Sequence, residues 1–136
     1  MKLSNKLKFL MEVSKAEAII SRKFSGQGLG FGDLAVLFAI SQSPDGKIRR
    51  VDLAEEVGLT ASGVTRLLIP LEKIGVVKRE INERDARVSY VMLTKSGKQL
   101  FEDSLKWVEE KCDDLIPDSE TKKLELASQL LSLITK

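Results

Sequence analysis

The chain has 136 residues, 43% apolar and only 5% aromatic, which is enough for one buried core but too few rings for a stacking platform on single-stranded nucleic acid. Its net charge of +2 is unevenly distributed: residues 47–98 hold eleven Lys/Arg against seven Asp/Glu, and residues 99–136 hold five against nine. A basic middle beside an acidic C-terminal arm is expected if only the middle faces phosphate.

Leu3, Leu7, Leu10, Met11, Ser14 and Ala18 recur at helical spacing, which predicts an amphipathic helix over about Leu3 to Phe24. The run Gly26-Gln27-Gly28-Leu29-Gly30-Phe31-Gly32 then reads as a flexible connection, since alternating glycines do not sustain a helix. It is not a nucleotide loop: the glycines miss the G-x-G-x-x-G spacing, follow a helix rather than a strand, and lack a Lys-Ser/Thr ending. Asp33 to Ser43 predicts a buried helix through Leu34, Leu37, Phe38 and Ile40. Pro44-Asp45-Gly46 is a turn signal, and Lys47-Ile48-Arg49 can add a short edge strand.

Leu53, Ala54 and Val57 give a two-turn helix one apolar face. Gly58 suits the left-handed position that closes it, but Arg49 and Arg50 are poor caps at its start. Thr60 is a good cap for a second helix, Ala61 to Ile74, with Val64, Leu67, Leu68, Leu71 and Ile74 facing inward. Pro70 removes a backbone donor and predicts a kink. Val76 to Ile81 and Val88 to Leu93 alternate as strands, joined by a polar tip from Asn82 to Arg87. Thr94 caps a long helix with a stripe of Phe101, Leu105, Val108, Cys112 and Leu115. After a break at Pro117-Asp118, Leu124, Ala127, Leu130, Leu131 and Ile134 line a final helix.

Helix, glycine turn, capped helix and basic hairpin, in that order, form a device for laying one helix in a DNA groove with a charged loop beside it. Ala54, Gly58 and Val64 have helix-turn-helix spacing: a small residue for close approach, a turn, and a β-branched anchor. Arg66 can fork onto guanine O6 and N7 or grip a phosphate. Ser62 and Thr65 can donate to phosphates or base edges, and the amides of Thr60 to Ser62 sit at a helix N-terminus suited to phosphate. Arg87, beside Arg84 at the hairpin tip, can enter a narrow minor groove. Asp85 repels DNA, so its expected task is to hold an arginine or the loop.

The whole chain resembles the MarR family of bacterial transcriptional regulators. The resemblance rests on Gly58-Leu59-Thr60-Ala61-Ser62-Gly63-Val64-Thr65-Arg66, on Leu71 to Arg79, on Arg84-Asp85-Ala86-Arg87 at the tip, and on Leu93-Thr94-Lys95-Ser96-Gly97. It implies a mainly α, α+β fold of one domain over residues 1–136. A winged helix-turn-helix core spans 31–93, and dimerisation helices span 1–25 and 95–136. It further implies a homodimer that binds a pseudo-palindromic double-stranded operator, as a ligand-responsive repressor in a bacterial or archaeal cytoplasm. Pro70, the glycine run and C-terminal helices that read as short depart from the pattern. MarR-like dimers often bind small molecules between the dimer helices and the winged domain. Here that region would be lined by Ala16, Ile19, Ile20, Phe31, Leu34 and Phe38, which serve equally well as core.

The chain has no histidine and a single cysteine, so the commonest general base is missing and a zinc site lacks its usual ligands. No G-x-S-x-G motif is present. These features argue against an enzyme and predict neither cofactor nor metal. With no apolar run near the roughly 20 residues of a membrane helix and no signal-peptide pattern, the expected setting is cytoplasmic and the membrane is not a partner. Two alternatives remain open: a winged helix used for protein–protein contact, which needs no positive wing, and a redox sensor acting through Cys112. The position of Cys112 on an apolar stripe predicts a buried, inert thiol.

Overall fold

Several helix starts in this chain are set by a short polar side chain that satisfies a backbone amide three residues away. A computed structural model describes residues 1–25 and 28–136. The Ser4 hydroxyl accepts from the Leu7 amide at 3.1 Å and opens α1 (Asn5–Lys23). Asp33 Oδ2 accepts from the Gly30 amide at 2.8 Å, which starts α2 (Phe31–Ser41) two residues earlier than predicted. Gly32 therefore lies inside a helix rather than in the connection, while Gly26 and Gln27 fall outside the described residues.

α2 is the central strut. Leu34, Val36, Leu37 and Ile40 are buried, and each such side chain contributes about 1.5–3 kcal/mol on leaving water. Phe38, expected inside, lies on the opposite face and is 51% exposed. After a 3-10 turn at Pro44–Gly46, where Asp45 (φ 59°) and Gly46 (φ 69°) are both left-handed, the chain forms β1 (Lys47–Arg49) and α3 (Arg50–Val57). Gly58 closes α3 at φ 72°. The helix α4 (Ala61–Lys73) packs against α3, with Leu53, Ala54, Val64, Leu68 and Leu71 buried between them and the rest of the core.

Two strands follow, β2 (Val77–Ile81) and β3 (Ser89–Leu93), and the antiparallel sheet runs in the order β1-β3-β2. Its register places Val91 between Ile48 and Arg79, and Val91 faces the core. α5 (Lys95–Leu115) runs for 21 residues, so this helix is not short; a 3-10 turn at Asp118–Glu120 then leads into α6 (Thr121–Ile134).

The start of α5 is clasped to the end of α4. The Thr94 hydroxyl accepts from the Gly97 amide and donates to the Gly75 carbonyl, while the Thr94 amide donates to Val76 O at 3.0 Å. Gly97 is required by this approach: a Cβ there would lie 2.8 Å from the Val76 carbonyl carbon and closer still to its oxygen.

Besides Phe38, two inward assignments are overturned. Ile74 is exposed because α4 ends at Lys73 and Ile74 turns away as the C-cap. Cys112 is exposed, not buried: Val108 is the last fully buried residue of α5, and beyond it only Leu115 still packs partly on the core. α1 and α6 bury no residue at all. Their apolar stripes, including Leu7, Leu10 and Met11 on one and Leu124, Leu130 and Leu131 on the other, face outward. No described helix is long and apolar enough to cross a membrane.

Candidate nucleic-acid interface

The first turn of α4 stands out from the fold with its polar side outward. The Thr60 hydroxyl accepts from the Gly63 amide at 3.1 Å and lies 3.2 Å from the Ser62 hydroxyl. This cap is worth about 1 kcal/mol, and it fixes the turn whose other amides point away from the protein. Ser62 and Arg66 are exposed on this face. Among the described residues Arg66 makes no ion pair. The helix continues through Pro70 to Lys73, so the residues predicted to meet DNA sit well ahead of the proline.

Thr65 is differently employed from its predicted role. Its hydroxyl donates to the Ala61 carbonyl at 3.0 Å and receives Arg50 Nη1 at 3.3 Å. A donor already used inside the protein is not free for a base, so Thr65 belongs to the support of the face rather than to its surface. Arg50 was noted in the sequence only as a poor cap. The signal for its role was the doubled arginine immediately before the helix-turn-helix pattern.

The wing tip is ordered by two side chains that imitate backbone turns. Asn82 Oδ1 accepts from the Arg84 amide at 2.9 Å, and Asp85 Oδ1 accepts from the Arg87 amide at 3.0 Å. Asp85 also takes the guanidinium of Arg87, from Nε at 3.1 Å and from Nη2 at 3.4 Å. The Arg87 side chain, followed by its backbone amide, holds the Asp85 carboxyl below the ordinary carboxylate range. Asp85 thus holds both an arginine and the loop. Arg87 is fixed at one side of its guanidinium yet its side chain is 91% exposed. Arg84 is exposed and unpaired among the described residues.

Two of the strand cations are committed within the fold. Arg79 pairs with Glu72 at 3.5 Å and ties β2 to α4; Lys47 pairs with Glu80 at 3.3 Å and lies over the Tyr90 ring. Arg49 of β1 and Lys78 of β2 make no ion pair among the described residues and add to the free positive groups of the α4 face and the wing tip.

The six residues expected around an effector do not converge on one cavity. Leu34 is spent in the core, Ile19 and Ile20 are half-buried, and Ala16 is exposed. Phe31 stacks on Phe24 with centroids 5.4 Å apart. Phe38 lines a surface hollow of about 450 Å³ with Ala35, Pro44, Ile48 and Val57, which takes in none of the other five. The Cys112 thiol, although exposed, is pushed up by partial burial and by the neighbouring Glu109 and Asp113 carboxylates. A thiol held protonated is a poor nucleophile, which weighs against a redox switch there.

Comparison with known proteins agrees with this geometry. The family model described as MarR family matches residues 32–89. The uncharacterized HTH-type transcriptional regulator YfiV of Bacillus subtilis is 43% identical over 56 residues, covering 41% of this chain and 35% of YfiV. The HTH-type transcriptional repressor YetL of the same organism is 29% identical over 97 residues, covering 71% of this chain and 58% of YetL. The chain thus spans well under two thirds of the length of either relative. A MarR family transcriptional regulator from Streptomyces coelicolor, solved in complex with DNA, superposes with a TM-score of 0.73 at 20% identity, covering 97% of this chain and 89% of that one. The helix-turn-helix and the braced wing tip both fall inside the segment that is similar to the MarR family.

Proposed function

We propose that this protein is a sequence-specific regulator of transcription that binds double-stranded DNA as a homodimer, with no chemistry performed on a substrate. The observation that carries the reading is the pairing of two presented basic elements. The capped first turn of α4 displays Ser62 and Arg66, and the hairpin displays Arg84 and an Arg87 already oriented by Asp85. A capped helix suits the major groove and an extended arginine suits the minor groove. The name of YetL as a repressor and the DNA complex of the Streptomyces protein support the same class.

In this reading residues 31–93 form the DNA-binding core and residues 1–25 and 95–136 the dimerisation helices. The outward apolar stripes of α1 and α6 supply the interface, since faces of that extent seek a partner. An effector site forms where α1 of the assembled dimer meets α2, around Ile19, Ile20, Phe31 and Phe38. Ligand binding there relieves repression, and a cytoplasmic setting follows. Selection of bound duplexes from a random pool tests the reading. It should return a pseudo-palindrome with half-sites about 10 base pairs apart, so that two recognition helices meet one DNA face. Weak binding without any consensus would instead favour a protein-contact module.

A further inference from the structure

We infer that a groove between α3 and the wing is a phosphate site for the DNA backbone strand that separates the two grooves; this rests on the DNA-binding reading above. The groove, about 230 Å³, is lined by Arg49, Arg50, Val51, Arg87, Val88 and Ser89. Three of its six residues are arginines, and no carboxylate lines it. Of the two acids nearest in sequence, Asp85 already holds Arg87 on the wing, and Asp52, in the first turn of α3, is exposed and lies outside the lining. Among the described residues neither Arg49 nor Arg50 makes an ion pair.

The position of the groove determines which part of a duplex it meets. Arg50 reaches α4 through its bond to the Thr65 hydroxyl, and its Nε is buried with no partner. The same residue lines the groove together with Arg87 of the wing. Arg50 therefore stands at the join between the helix assigned to the major groove and the hairpin assigned to the minor groove. Between those two grooves lies one sugar–phosphate strand, so whatever projects from the join faces phosphodiesters and not base edges. Guanidinium groups bind such oxygens bidentately. The α3 N-terminus adds to the attraction, because Arg49 provides no side-chain cap and the first amides of the helix remain available. A site built this way supplies affinity and register but carries no sequence information.

Arg49 is the residue for the test, because it is exposed and contributes only backbone pairing to β1, opposite Tyr90. Binding of the full chain to its selected duplex and to a scrambled duplex would be measured across salt concentrations. Arg49→Gln should weaken both complexes by the same factor, at least about tenfold, and should reduce the slope of log K against log salt by about 1.8, about 0.9 for each of the two subunits. Arg49→Lys should keep the wild-type slope. Replacing single phosphates by neutral methylphosphonates should reveal one position per half-site that costs the wild type affinity and costs Arg49→Gln nothing. An unchanged slope in Arg49→Gln, or a loss confined to the selected duplex, overturns the phosphate site while leaving the DNA-binding reading standing. No wild-type binding to either duplex overturns both.

Discussion

Asp85 is an acid on a face proposed to approach a polyanion, and its geometry explains why it is there. It spends its charge on Arg87, whose guanidinium it orients from two sides of its carboxylate. Asp85→Ala makes the wing more positive, so electrostatics alone predicts tighter binding; loss of the brace predicts weaker binding. We expect weaker binding with unchanged circular dichroism, and tighter binding would sink the assignment of the wing. The carboxyl is depressed, so the brace is complete above the ordinary aspartate range and is lost only as pH falls through the lowered value. With no histidine in the chain, affinity should be flat between about pH 6 and 8. Arg66 and Arg87 should fail differently when cut back. Arg66→Ala should cost about 1–3 kcal/mol and relax preference at one position per half-site. The loss for Arg87→Ala should follow minor-groove width, with A/T-rich flanks hit hardest. Binding profiles over a duplex library separate the two.

Among the elements, those whose boundaries depend on a local chemical device were legible in the sequence. Thr60, Thr94 and Gly58 each do what their residue type predicts, as a cap or a left-handed stop. The exception among the local devices is the start of α2, and the other misreadings arose where tertiary context decided. Asp33 reached back to Gly30 and drew Gly32 into α2, and Ile74 turned outward once α4 had ended. Cys112 sat on a periodic stripe whose full burial ends at Val108. The exposure of Ser62 and Arg66 on α4 was legible, but the engagement of Thr65 by Arg50 was not, because a contact across fifteen residues leaves no spacing to read. Pro70 is an exposed proline in the interior of α4 that leaves the Arg66 carbonyl without its helical donor. Pro70→Ala restores that bond and should raise unfolding stability by about 1–3 kcal/mol, measured by denaturant titration. A fall in stability would show that the ring packs usefully where it stands.

For the whole molecule, the unfilled demand is at its ends. α1 and α6 carry apolar stripes that bury no side chain fully, and at the C-terminal end of α1 Ile20 packs partly on the core. We expect a dimeric mass by light scattering at micromolar concentration, and a monomeric mass would refute the proposed interface. The clasp at Thr94 and Gly97 then takes on a mechanical meaning. It fastens α5 directly to the turn that ends α4, with no compliant linker between them. At about 1.5 Å per residue α5 is a rod of roughly 30 Å, so a tilt of about 5° about the clasp moves its far end by about 3 Å. In the proposed dimer, a small displacement among the helices that join the subunits would swing the segment from α2 to β3 as a rigid body. The quantity such a lever controls is the span between the two recognition helices, a distance that belongs to the pair of subunits and to neither alone.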